Sequence, residues 1–160
     1  MRLVPFHPSV ASQILEWNID PDYLRFWRSL GRHLTLEECA HLPQVLGLEV
    51  LILEDDGKAI GLVDIQEDRL GSKFSVLIDK SLWGQSFGTQ ATKLLEDYLF
   101  LKKMTRSTIT ECSALDSASI RGLASLDYSY KGSFPEMILN KSGKFETVNF
   151  YHKRSPYGVY

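Results

Sequence analysis

At 160 residues, with 44% hydrophobic and 24% charged residues, the chain has the size and balance of one soluble globular domain. A formal net charge of −2 gives no reason to expect a nucleic acid or a membrane surface as the main partner, and apolar runs of a few residues are too short to span a bilayer. Two cysteines, Cys39 and Cys112, make no disulfide framework, the four histidines show no metal-ligand spacing, and the N-terminus lacks the apolar segment of a signal peptide. A cytoplasmic protein without a metal site is therefore expected.

Leu3-Val4-Pro5-Phe6 reads as an edge strand, because proline removes a ladder donor. Pro8 to Trp17 carries Val10, Ile14 and Trp17 at helical spacing; Asp20 to Trp27 restarts a helix with Pro21 in its first turn; Thr35-Leu36-Glu37-Glu38 is a capping box for a third, ending near Pro43. Trp17, Tyr23, Phe26 and Trp27 in this region serve either as core or as the lining of a binding groove. Leu48–Glu54 and Ala59–Ile65 flank Asp55-Asp56-Gly57-Lys58, a strong hairpin signal, and a further polar turn leads to the strand Phe74–Asp79.

The chain is organised around the turn and helix that this strand enters. A glycine-bearing turn leads into a run with Ala91, Leu94, Leu95, Tyr98 and Leu99 on one helical face, ending near Lys102-Lys103. A strand entering a helix through such a turn presents unpaired backbone N–H groups and the positive end of the helix dipole, which suits a phosphate. The turn has no Gly-Lys-Ser/Thr ending and does not fit G-x-G-x-x-G, and it holds no Lys or Arg between Lys80 and Lys93, so an anion there would rest on main-chain amides. Ser107–Ala114 then reads as a strand, Asp116-Ser117-Ala118-Ser119 starts a helix through Ser125 or Leu126, and strand, helix and parallel strand make a right-handed crossover. Lys131–Asn140 and Lys144–Lys153, separated by Lys141-Ser142-Gly143, give a closing hairpin.

Trp83-Gly84-Gln85-Ser86-Phe87-Gly88-Thr89-Gln90-Ala91 resembles the coenzyme A pyrophosphate loop of GNAT-type N-acetyltransferases, and specifically of the branch that acetylates ribosomal-protein N-termini, where the run reads roughly W-G-K-G-Y-G-T-E-A. The element order extends the resemblance over nearly the whole chain. It implies an α/β (α+β) domain over residues 1–153 with a tail at 154–160: a mixed, mostly antiparallel sheet of about seven strands, helices on both faces, and a V-shaped split between the fourth and fifth strands. It implies acetyl-CoA as cofactor, bound by Gly84, Gln85, Ser86, Phe87, Gly88 and Thr89 at the pyrophosphate, by the backbone of Val76, Leu77 and Ile78 along the pantetheine arm, and by Asp116 and Ser119 where the family has Asn-x-x-Ser. Ser86 replaces the family's middle glycine; its side chain either crowds the phosphate, caps the helix or donates to the phosphate.

Glu111 falls where the resembling ribosomal-protein acetyltransferases have a catalytic glutamate, which makes it the candidate base; the rival reading is an exposed residue on the outer face of its strand. No general acid is named: Leu123 stands where many members have a tyrosine, and Asp127-Tyr128 replaces the family's Gly-Phe. The leading expectation is an acetyl-CoA-dependent N-acetyltransferase acting by direct attack of a primary amine, either a protein N-terminus or a small molecule. The alternatives are a non-catalytic GNAT-like binding module and an interaction protein whose aromatic N-terminal helices hold a partner. A homodimer through the edge of the final hairpin is a further expectation.

Overall fold

The computed structural model describes every residue except 29, 70, 140–143, 159 and 160, and no side chains for 136–139; the expected turn at Lys141-Ser142-Gly143 lies outside the described residues. Seven strands form a single sheet: β1 (Arg2–Pro5), β2 (Glu49–Asp55), β3 (Lys58–Asp68), β4 (Gly71–Ile78), β5 (Ser107–Ser113), β6 (Ser129–Leu139) and β7 (Phe145–Arg154). Their spatial order is β1-β2-β3-β4-β5-β7-β6, and every pairing is antiparallel except β4 with β5. This is the mixed, mostly antiparallel sheet that the resemblance implies.

The two faces of the sheet bury different helices, and strand alternation decides which residues serve each. On one side lie α1 (Ala11–Ile19), α2 (Leu36–Ala40) and α3 (Leu42–Leu46), whose Ile14, Trp17, Cys39 and Leu42 meet Val50, Ile52, Leu62 and Leu77. On the other lie α4 (Phe87–Asp97) and α5 (Ser117–Ser125), whose Ala91, Leu95 and Leu123 meet Val63, Ile65, Phe74 and Ile78. Each fully buried leucine or isoleucine on these faces contributes roughly 1.5–3 kcal/mol. The stripe of α4 continues through a π-helical turn, Tyr98–Lys102, closed by the Lys103 N–H on the Tyr98 carbonyl at 3.1 Å. No helix among the described residues is long and apolar enough to cross a membrane.

Two N-terminal elements differ from the sequence reading. The segment after Asp20 does not become a helix: a short 3₁₀ turn, Pro21–Tyr23, is followed by successive turns, because Asp20 caps it on the Asp22 N–H and the next carbonyls are taken at i+3 spacing. Pro43 does not end a helix but sits in the first turn of α3, where its missing N–H costs nothing, and Gly47 in the left-handed conformation closes that helix. The Thr35–Glu38 capping box forms as read.

Candidate active site

α4 begins at a residue whose backbone departs from ordinary helical entry. Ser86 stands at the N-cap with φ 64° and ψ 15°, and its hydroxyl caps no N–H. The first bond of the helix runs from the Gln90 N–H to the Ser86 carbonyl at 3.1 Å, and among the described residues no protein acceptor meets the N–H groups of Gln85 to Thr89. Gly84, at φ 78°, turns the chain ahead of them. Five successive donors at the positive end of an eleven-residue helix are an anion site made of main chain. Thr89 packs beneath α5 at Gly122, where an added Cβ would press on the Thr89 hydroxyl.

This loop stands at the end of β4, beside the place where the sheet parts. β4 and β5 pair only at Ser72↔Thr108 and Lys73↔Ile109, whereas β4 remains paired with β3 out to Ile78. Just beyond, the Thr110 hydroxyl reaches the Phe74 carbonyl at 3.1 Å, so that carbonyl faces β5. Backbone direction alternates along a strand. Val76 and Ile78 therefore also turn their polar groups toward the gap, while Leu77 turns to β3 and buries its side chain under the N-terminal helices. The Trp83 indole takes the Ile78 carbonyl at 2.9 Å, which leaves the Val76 amide group and the Ile78 N–H directed into the split.

Glu111 lies on β5 at the floor of this split, on the face covered by the N-terminal segment. Its side chain is only 3% exposed, which overturns the reading of an outer-face residue, and it forms ion pairs with Arg28 and with Lys73, the latter at 3.4 Å. A cavity of about 40 Å³ lies against it, lined by Arg25, Phe26, Arg28, Ser75, Val76 and Thr110. Asp64, across β4 from Glu111, is paired with Ser75 in register and accepts its hydroxyl. Burial pushes the Asp64 carboxyl up to about 6 against the opposing effect of Ser75, Arg28 and Lys73. Burial likewise lowers both Arg28 and Lys73, with the neighbouring arginines adding to it.

Asp116 caps α5 as read, accepting the Ser119 N–H at 3.1 Å and the Ser119 hydroxyl at 2.6 Å. Burial pulls its carboxyl up, but those hydrogen bonds and the charge of Arg25 outweigh it and hold it below the usual range. Arg25 meets Asp116 at 3.4 Å, and on the opposite bank the Lys80 N–H donates to the Tyr23 hydroxyl at 2.7 Å while its ammonium reaches Asp20 at 2.6 Å. The Trp17 indole donates to Asp79 at 2.9 Å. Residues 20–28 thus cross the mouth of the split and are fastened on both sides. Leu123 is buried, and Asp127, at the position of glycine in the resemblance, takes a left-handed backbone at φ 66°.

The model of the Acetyltransferase (GNAT) domain family matches residues 1–129. The chain belongs to this family. None of the curated proteins compared with it matches. Among solved structures it resembles a putative acetyltransferase, yncA, from Salmonella typhimurium with its cofactor acetyl-CoA, at TM-score 0.76 and 17% identity over 99% of this chain and 95% of that one. It also resembles a ribosomal-protein-alanine N-acetyltransferase from Brucella melitensis, at TM-score 0.74 and 18% identity over 96% and 99% of the two chains. A spermidine N-acetyltransferase chimera from Vibrio cholerae gives TM-score 0.80 and 14% identity over 97% and 96%. As a GNAT acetyltransferase the chain uses acetyl-CoA, and the unpartnered amides at 85–89 fit its diphosphate.

Several residues around the GNAT cleft were not singled out by the sequence reading. Asp64 had a signal, a lone carboxylate inside the apolar run Ala59–Ile65; Lys73 and Ser75 alternate with apolar Phe74 and Val76, which marks a polar face on a central strand. Arg25 and Arg28 had none, because the turns that carry them follow no period.

Proposed function

We propose that the chain transfers the acetyl group of acetyl-CoA to a primary amine, a protein N-terminus or a small molecule, by direct attack, with Glu111 as the base. The observation that carries this reading is the alignment of the unpartnered amides at Gln85–Thr89 with a sheet split whose floor holds a buried carboxylate. Acetyl-CoA supplies the thioester, whose carbon–sulfur bond is exchanged for a carbon–nitrogen bond to the amine with release of the thiol. Gln85 to Thr89 hold the diphosphate through main-chain N–H groups, and the Ile78 and Val76 backbone aligns the arm in the split. Asp116 and Ser119, held to one another, position the start of α5 beside it. Glu111 receives the proton that the ammonium loses, directly or through the water-sized space beside it.

Glu111→Gln should leave acetyl-CoA binding unchanged by calorimetry and lower thiol release with amines about 100-fold or more, the range of a lost general base. Full turnover in that variant would remove Glu111 from the chemistry. The same reading places the protein in the cytoplasm, in keeping with two unpaired buried cysteines, Cys39 and Cys112. It also pairs two copies through the free side of β6, whose neighbour among the described residues is β7 alone.

A further inference from the structure

The space beside Glu111 is too small for the reaction it adjoins. About 40 Å³ accommodates a water molecule, not an acetyl thioester together with an amine. What fills the remainder is cationic: the Arg28 guanidinium lies on the Glu111 carboxylate, with Lys73 on its other oxygen at 3.4 Å, and Arg25 and Phe26 close the roof. The backbone that carries Arg28 is not free to leave. Trp27 is buried at 5% exposure with its indole on the Trp17 carbonyl at 3.0 Å, and Tyr23 is fixed to Lys80. The Arg28 side chain, by contrast, is held at its tip by Glu111 and by one long contact, 3.3 Å, to the Arg25 carbonyl. Room is therefore made by swinging a side chain and not by lifting the segment.

Two buried carboxylates, Glu111 and Asp64, face two cations, Arg28 and Lys73, so with Arg28 gone Lys73 alone leaves one buried negative charge uncompensated, which burial strongly disfavours. Whatever displaces Arg28 has to bring a positive charge of its own. The ammonium form of a primary amine meets that requirement, and a neutral or anionic acceptor does not. We propose that the Arg28 guanidinium occupies the acceptor's ammonium position on Glu111, so that the acceptor binds as a cation by exchange with Arg28. This rests on the reading of the split as the acetyl-transfer site, but it concerns occupancy and not the identity of the base. Arg28 is here a specificity-determining residue: it excludes uncharged acceptors and sets the concentration at which charged ones enter.

The test uses the 160-residue protein, Arg28→Ala and Arg28→Lys, with two probes, n-butylamine and a short peptide with a free N-terminal alanine. Circular dichroism and acetyl-CoA titration establish that each variant folds and keeps its cofactor site. Arg28→Ala should lower the half-saturating amine concentration about tenfold with kcat within about twofold, and Arg28→Lys should lie between it and the native protein. Guanidinium ion at millimolar concentration should compete with the amine in Arg28→Ala and leave the native protein almost unaffected. An unchanged or raised half-saturation in folded Arg28→Ala, or a collapse of kcat alone, overturns the proposal. If neither probe is acetylated by any variant, the acetyl-transfer reading has failed for these amines. Calorimetric binding of n-butylammonium then decides the exchange by itself: tighter in Arg28→Ala supports it, equal or weaker overturns it.

Discussion

Ser86 is the residue on which the proposed cofactor site turns most sharply. Its left-handed backbone, φ 64°, costs an L-residue roughly 1–2 kcal/mol, while glycine would give back part of that gain through a freer unfolded chain. The Ser86 hydroxyl caps no helix N–H, so the helix loses nothing with it. Ser86→Gly should therefore raise the melting temperature by about 1–3 °C, given the slope for a chain of this size. It should also tighten acetyl-CoA binding by removing a hydroxymethyl group from beside the amides proposed to hold the diphosphate. A drop in affinity measured by calorimetry would mean instead that the hydroxyl contacts phosphate. Asp127 illustrates the same substitution elsewhere: a non-glycine residue accepts a left-handed backbone that the tight turn into β6 imposes.

Among elements, the pair β3–β4 sets the geometry of the split. Gly61 lies opposite Ile78, and a Cβ there would overlap the Leu77 carbonyl, so the bare backbone lets β3 and β4 stay close at the open end of the split, after β4 has left β5. Gly61→Ala should cost about 1–3 kcal/mol by overpacking, read from denaturant midpoints, and should weaken acetyl-CoA binding because the end of β4 is pushed toward the gap. Unchanged binding in a destabilised variant would separate the strand's packing from the cofactor arm. The strands, the crossover helix and the glycine turn were legible because each has a period or a turn residue of its own: Ala91, Leu95 and Leu99 repeat at helical spacing, and Asp56-Gly57 marks the hairpin. Residues 20–28 were not, since successive turns have no period, and Pro43 is as suited to opening a helix as to ending one. The partners of Glu111 were hidden for a related reason. Arg28 and Lys73 are brought to it by tertiary placement from 83 and 38 positions away, and neither lies in a motif.

At the scale of the whole molecule, the buried charges around the cleft shape stability against pH. Asp64 is pushed up to about 6 by burial, above its unfolded value of 3.8, so the folded chain holds that proton more tightly. Its contribution is complete below about pH 4 and is lost as the pH rises through 6, no more than about 3 kcal/mol in all. Asp20, Asp79 and Asp116 are held below the usual range and act in the opposite sense, losing their contribution as pH falls below 4. Comparison with Asp64→Asn cancels those groups. The variant should be more stable than the native protein at pH 8 and equal to it near pH 4, by chemical denaturation; a stability difference independent of pH would show that folding leaves the Asp64 pKa unshifted.

The account as a whole depends on main-chain amides, without cationic side chains, holding the diphosphate at the start of α4. Nitrogen-15 chemical shifts followed through an acetyl-CoA titration test this most directly. Large, saturating downfield shifts are expected for the amides of Gln85 to Thr89, together with smaller ones at Val76 and Ile78. Saturable binding that leaves the 85–89 amides unmoved, with the perturbation centred on Lys or Arg side chains elsewhere, would contradict it.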